Sequence, residues 1–366
     1  MPAGRTVAVH PIEYSGAVPG YGSGVETIDD AGEFGLIARI QARLPLTSPD
    51  TPVPAGDDAA VLAAPDGRLA VSTDVLLEGR HFRRDWSGPR DIGHKAAAQN
   101  FSDIAAMGGV PTSLLLSMVL PGDLPVAWVE EFAEGVAAEC APFGAIVAGG
   151  DMVRGDLITI SVTVLGTLEG RAPVLRSGAR PGDVVAVAGR LGWSAAGLEL
   201  LLAGEDGAAA GDGEPGGGGA PGSDGGSGAD SAAPAMPAAP QAADYLAAHR
   251  RPNPPYAAGP EAARAGATAM LDVSDGLLAD LKHLAVASEV AVDVDSALLA
   301  LTPGPRLDQV LTGGEDHALV ATFAPDTELP GGWRRIGAVH EGAAAVTVDG
   351  KPWDGPGGFS HFGRSA

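Results

Sequence analysis

Between residues 68 and 168 the chain keeps switching its hydrophobic period, and that alternation limits the fold more than any other feature. "RLAVSTDVLL" and "TSLLLSMVL" read as strands, while "RDIGHKAAAQNFSDIAAMG" between them carries apolar residues at helical spacing. The amphipathic run "LPVAWVEEFAEGVAAECAPFG" comes next, and "DLITISVTVLGT" then alternates as a half-buried strand does. Strands and helices taking turns predict an α/β chain with helices laid on a sheet.

The flanks extend this reading. Residues 1–30 are expected to be a poorly ordered extension, since 1–25 are punctuated by Gly and Pro and the first helical pattern opens at "GEFGLIARIQARL". After the turn "RSGARPGD", the strand "PGDVVAVAG" opens a second set of elements, so a domain boundary is expected near 170–180. Domains of 31–170 and 171–366 follow. Residues 204–243 hold no large hydrophobe except Met236, and six acids with no base. Such a stretch builds no core and is expected to be a disordered insertion. The second domain resumes at "ADYLAAHRRPNPPY" and runs through "MLDVSDGLLADLKHLAVAS", the strand "VAVDVD" and "GGEDHALVATF".

Charge narrows the function classes. The formal charge is −23, and Lys occurs only at 95, 282 and 351. Taking away the six acids of 204–243 leaves −17, so the acidity belongs to the folded part as well. Nucleic acid and anionic membranes would be repelled, whereas divalent cations would be attracted. The single Cys140 excludes an internal disulfide or a thiolate cluster and reads as a small buried hydrophobe. No apolar h-region appears in 1–25, and "SLLLSMVLP" is too short to span a bilayer. A soluble cytoplasmic protein is the expectation.

Within the helical segment "QNFSDIAAMGG" one residue stands out. Phe101, Ile104, Ala105 and Met107 read as core, yet Asp103 lies among them where it caps nothing. Comparable Asp–Gly, Asp–Ser and Asp–Thr junctions recur in "AGDDAAVL", "STDVLLEGRHF", "AGGDMVRGD", "LDVSDGLLADL" and "TGGEDHALV". Hard cations such as Mg²⁺ take carboxylate, water and phosphate oxygens, and adjacent Gly lets backbone N–H groups approach a phosphate. Each junction alone also reads as a turn or cap, so spacing by itself leaves a metal–phosphate site and an acidic surface both open. Any ATP site here is of an uncommon kind. No G-x-x-x-x-G-K-[ST] loop, no H-R-D catalytic loop and no dinucleotide Gly fingerprint occurs.

Taken in order, "GEFGLIARI", "GDDAAVL", "STDVLLEGRHF", "KAAAQNFSDIAAMGGVP", "GGDMVRG", "RSGARPGD", "DVSDGLLADL" and "GGEDHALV" resemble the motifs of the thiamine-monophosphate kinase family. The resemblance spans about Gly32 to Gly363 apart from 204–243. It implies the two-domain aminoimidazole-ribonucleotide-synthetase-like α/β (α+β) fold, with mixed sheets, packed helices and ATP in the interdomain cleft. It further implies homodimerisation through the N-terminal domain and phosphorylation of thiamine monophosphate by ATP with several Mg²⁺ ions. By the same resemblance the metal ligands would be Asp58, Ser72, Thr73, Asp74, Asp103, Asp151, Asp272 and Asp275. Gly150, Asp151, Arg176 and Ser274 would meet ATP, and His81, Glu315 and Phe359 the thiamine monophosphate. Because the acceptor is a phosphate, which attacks without deprotonation, direct in-line transfer needs no general base. Arg154 stands as either an ion pair or a phosphate contact, Glu315 and Asp316 also read as turn caps, and Asp275 as a helix N-cap. Another synthetase of the same superfamily and a non-catalytic Mg-nucleotide module are the competing functions.

Overall fold

The computed structural model describes residues 21–22, 24–55, 59–204, 240–299, 304–355 and 358. It contains two mixed sheets with helices packed on them, the α/β architecture anticipated above.

The first sheet has the order β1-β4-β2-β3, formed by β1 (Ala70–Leu77), β4 (Thr159–Thr167), β2 (Val110–Leu120) and β3 (Ile146–Arg154). β2 and β3 run parallel, joined by the crossover helix α3 (Val126–Cys140), while β4 is antiparallel to both β1 and β2. Helix α2 (Pro89–Ala106) starts with Pro at its first turn, where the missing N–H costs nothing. It lies with α3 over one face of this sheet, and the two helices and that face share a core containing Phe101, Ile104, Trp128, Phe132, Leu114, Ile160 and Val162. The opposite face stays open, with Val71, Val75 and Leu115 exposed. Cys140 is buried in the core, and burial pushes its thiol up to about 12. Helix α1 (Ile28–Gln41) packs beside α3.

The expected extension differs at its end. Residues 1–20 and 23 lie outside the described residues, but 26–31 are tied down. Thr27 caps α1, Ile28 N–H donates to Leu124 O at 2.9 Å, and Tyr21 Oη donates to Glu131 at 3.0 Å. Backbone pairing with the 121–126 turn holds a segment whose composition alone offers no core. The sequence pattern opening at Gly32 marks a real break, since α1 kinks there with φ 67°.

The second sheet has the order β10-β7-β9-β5-β8-β6. Its strands are β5 (Val184–Ala188), β6 (Ala269–Val273), β7 (Ala291–Val294), β8 (Ala318–Phe323), β9 (Trp333–His340) and β10 (Ala345–Val348). β5, β6 and β8 are buried along their whole length, as strands covered on both faces must be. One face meets a core with α7 (Leu277–Ser288) and α9 (Leu307–Thr312). The other meets Ala105 and Ala106 from the end of α2, together with Ala258 and Ala262 of α6 (Ala258–Arg264). Gly259 permits this approach, since a Cβ there would sit 2.0 Å from Ala105 O. Helix α2 is therefore common to both halves.

Helices α4 (Trp193–Leu202) and α5 (Ala242–Arg250) flank residues 205–239, which lie outside the described residues. The expected insertion, 204–243, is too long at its C-terminal end. Gln241 and Asp244 form a reciprocal capping box, so Ala242 and Ala243 are already helical. Among the described residues no helix is long and apolar enough to cross a membrane.

Candidate phosphate and metal cleft

Strand alternation sets the first side of the site. Ser72 and Asp74 of β1 point to the face covered by α2, and the Ser72 hydroxyl donates to Asp103 Oδ2 at 2.6 Å. Thr73, between them, turns its side chain to the open face, where its hydroxyl donates to Val162 O at 2.9 Å and accepts from Thr163. The pleat thus turns the Thr73 side chain away from those of Ser72 and Asp74. Only its backbone stays level with Ser72 and Asp74.

The other side comes from the second sheet. Asp272 ends β6, and the turn 274–276 leads into α7. Asp275 does not cap that helix. The Asp280 carboxylate reaches back instead, accepting from Asp275 N and Gly276 N at 3.0 and 3.1 Å, so the Asp275 side chain takes no part in these cap bonds.

The carboxyls of Asp74 and Asp103 both feel this setting. Burial first, then the charges of Asp272 and Asp74, lift Asp103 to about 7, opposed by the Ser72 hydroxyl. Asp74 is likewise raised, by burial and by Asp272 and Asp275, against the pull of His317 and Gln99. Burial draws the His317 imidazole down, but its 3.2 Å contact with Asp272 and the charges of Asp272, Glu315 and Asp103 together raise it. Asp103 is thus no isolated oddity on α2; it faces like charges from both halves. Ser72, Asp103, Asp272 and Arg176 line one cavity of about 490 Å³, within the range of small-ligand sites. Ser274 lies beside it, its carbonyl accepting from Glu315 N at 2.8 Å.

Gly150 and Asp151 are elsewhere. They stand on β3 and line a separate cavity of about 140 Å³ with Ile37, Leu44 and Met118. The register Val75–Ser161–Ser117–Asp151 puts Asp151 three strands from β1, roughly 14 Å away, and on the open face. Within one chain the structure does not bring Asp151 to Asp103. Asp58 and Phe359 lie outside the described residues, although Gly358 packs against Asp275 O. Arg154 is an ion pair, 3.0 Å from Asp29 on the surface.

At the opposite end of α2 is a second polar cluster, which the motif reading reached only in part. His81 accepts from Leu77 N at 3.0 Å through Nδ1. Glu315 pairs with Lys95 at 3.0 Å, whereas its neighbour Asp316 caps α4 by accepting from Gly192 N and Ser194 N. Of the two residues of "GGED", Asp316 takes the capping role and Glu315 forms an ion pair. Burial would raise Glu315, yet the Lys95 ammonium beside it holds the carboxyl down at about 2. Lys95, His249 and His317 were missed. Lys95 carried the same signal as Asp103, a charge inside an otherwise small and apolar helical pattern.

The donor set suits a hard cation. Among the described residues no three His, Cys, Asp or Glu side chains form a closed chelate. Mg²⁺ needs no such cage, because it binds through one or two carboxylates and completes its shell with water and phosphate oxygens. The raised proton affinity of Asp74 and Asp103, set by burial and by neighbouring carboxylates, is what such an ion would relieve.

Comparison with known proteins identifies the family. Residues 56–168 match the family model of AIR synthase related protein, N-terminal domain. The chain is 42% identical over 351 residues to the thiamine-monophosphate kinase of Mycobacterium tuberculosis, covering 92% of this chain and 94% of that protein. It also superposes on the crystal structure of the Stenotrophomonas maltophilia thiamine-monophosphate kinase with a TM-score of 0.70 and 34% identity, covering 87% and 97% of the two chains. A structure of AaThiL complexed with AMPPCP and TMP gives a TM-score of 0.64 at 34% identity, covering 93% and 100%. On its sequence, its two sheets and its acidic cleft, the chain belongs to the thiamine-monophosphate kinase family.

Proposed function

We propose that this chain transfers the γ-phosphoryl group of ATP to thiamine monophosphate, giving thiamine diphosphate and ADP by direct in-line transfer. The observation that carries the reading is the layout of the cleft along α2. Clustered carboxylates gather around Asp103, while Lys95, His81 and Glu315 gather eight residues away, roughly 12 Å along the helix. A substrate with an anionic phosphate at one end and a cationic ring system at the other matches both ends.

Asp74, Asp103, Asp272 and Asp275, with Ser72, would hold Mg²⁺. When bound, the ion neutralises phosphate oxygens and keeps two anionic reactants together. Arg176 at the wall of the same cavity would meet the nucleotide phosphates, with Ser274 alongside. His81 and Glu315 would seat the thiamine moiety, the ionised Glu315 facing its cationic thiazolium, and Phe359 would close over it. The acceptor oxygen is already a nucleophile, so catalysis is positional and electrostatic.

Gly150 and Asp151 enter through a homodimer. The open face of the first sheet exposes Val71, Val75 and Leu115, and Asp151 lies on that same face. A second copy packed there would bury these apolar side chains, with Asp151 at the contact between the two copies. We place the enzyme in the cytoplasm, with neither nucleic acid nor membrane as partner. Incubation with ATP, Mg²⁺ and thiamine monophosphate should yield thiamine diphosphate and ADP in equal amounts. ADP formed only with another acceptor would reassign the substrate, and tight Mg-nucleotide binding without turnover would make the chain a binding module.

A further inference from the structure

Lys95 is 2% exposed, a costly place for an ammonium group. All of its donors are accounted for by one side chain and two carbonyls drawn from both halves of the molecule. Nζ donates to His81 O at 3.1 Å, to His249 O at 3.4 Å and to Glu315 Oε2 at 3.0 Å. His81 follows β1 of the first sheet, His249 closes α5, and Glu315 precedes β8 of the second sheet. The His249 ring is itself fixed, its Nδ1 lying 3.0 Å from Ser194 Oγ at the start of α4. Glu315 is held in the left-handed region, at φ 62°, and its side chain remains 31% exposed. A methionine would fill the same volume without the desolvation cost, so core packing alone does not account for a charge here.

We propose that Lys95 is a positioning residue, one ammonium that ties His81 to Glu315 across the two halves and aims the Glu315 carboxylate at the cationic part of thiamine monophosphate. The proposal rests on the reading of His81 and Glu315 as substrate residues given above. Glu315 supplies the direct contact; Lys95 fixes where that carboxylate stands. The Lys95 ammonium, with the His249 ring at 3.6 Å and His317 also facing it, holds the Glu315 carboxyl down, so it stays ionised throughout the working pH range. Without the ammonium, burial governs, and the carboxyl rises.

Steady-state kinetics with both substrates varied test this on the full-length protein. Lys95→Met should raise KM for thiamine monophosphate about 10- to 100-fold while KM for ATP changes less than about 2-fold. That elevated KM should fall as pH rises, where the wild type is flat. Glu315→Gln should raise the same KM, without the pH dependence, and the double variant should be no worse than the poorer single one. If Glu315→Gln leaves KM for thiamine monophosphate unchanged, the assignment of the substrate end fails. Should Glu315→Gln raise it and a folded Lys95→Met not, Lys95 has no positioning role. An equal rise in both KM values, or a loss confined to kcat, also overturns the proposal. Where Lys95→Met does not fold, Lys95→Gln, which keeps polar donors and loses the charge, carries the same expectations.

Discussion

His249 sets a stability window that follows from its surroundings. Its side chain is nearly buried, 5% exposed, against Ser194, with the Lys95 ammonium on its carbonyl. Burial first, and then the Lys95 charge, push the imidazole down to about 4, while Glu315 at 3.6 Å pulls the other way. The unfolded chain titrates near 6.5, so between 6.5 and 4 it holds a proton that the folded chain refuses. Stability is therefore full above 6.5 and is lost as pH falls toward 4, by about 3 kcal/mol in total and about 2 kcal/mol by pH 5. Glu315 acts lower, since its carboxyl is depressed from 4.5 to about 2 and its contribution disappears only as pH falls through that range. Urea unfolding at pH 7.5, 6 and 5 reads the first window. His249→Gln, whose amide can still reach Ser194, should give a curve flatter by about 2 kcal/mol between pH 7.5 and 5. Parallel curves for the two proteins would refute the reasoning, because the buried neutral imidazole would then contribute nothing to the acid limb.

Asp103→Asn should lower kcat by at least about 100-fold while melting in EDTA at or above the wild-type temperature, since a carboxylate among like charges is removed. Retained turnover would make Asp103 structural. Gly150→Ala would set a Cβ 1.9 Å from Leu116 O on the neighbouring strand, so β3 must shift. A loss of about 1–3 kcal/mol in chemical denaturation, with KM for ATP raised more than KM for thiamine monophosphate, is expected. Asp316→Ala leaves Gly192 and Ser194 N–H groups without their acceptor and should cost about 1–2 kcal/mol in thermal unfolding.

Much of the fold was legible because period and burial coincide. In β4 the buried Ile160, Val162 and Val164 alternate as "ITISVTV" does, and α2 ends where its apolar spacing meets Gly108 and Gly109. The motifs name candidate residues one by one and do not contain their grouping. A motif lists Ser72, Thr73 and Asp74 as neighbours, but the pleat sends Thr73 to the other face. Another motif lists Asp151, yet strand order puts it at the far edge of the sheet. Asp316 and Glu315 differ by one position and serve different ends, because helix capping and ion pairing are set by tertiary neighbours that no local pattern contains. The start of α5 was misjudged for a simpler reason. Gln–Ala–Ala at the edge of a Gly/Ala/Pro-rich stretch looks compositional until Asp244 closes the cap.

The segment before β8 has a consequence for how this family can vary. Glu315, Asp316 and His317 are successive residues, and each side chain grips a different element: Lys95 of α2, the start of α4, and Asp272 of β6. Glu315 and His317 both adopt positive φ, at 62° and 52°, which winds the backbone so that neighbours diverge in three directions. Such a junction is fixed in length as well as in composition. Removing or adding one residue would exchange the partners of all three side chains at once, uncoupling Lys95, the start of α4 and Asp272 together. At 315–317 there is room for no insertion.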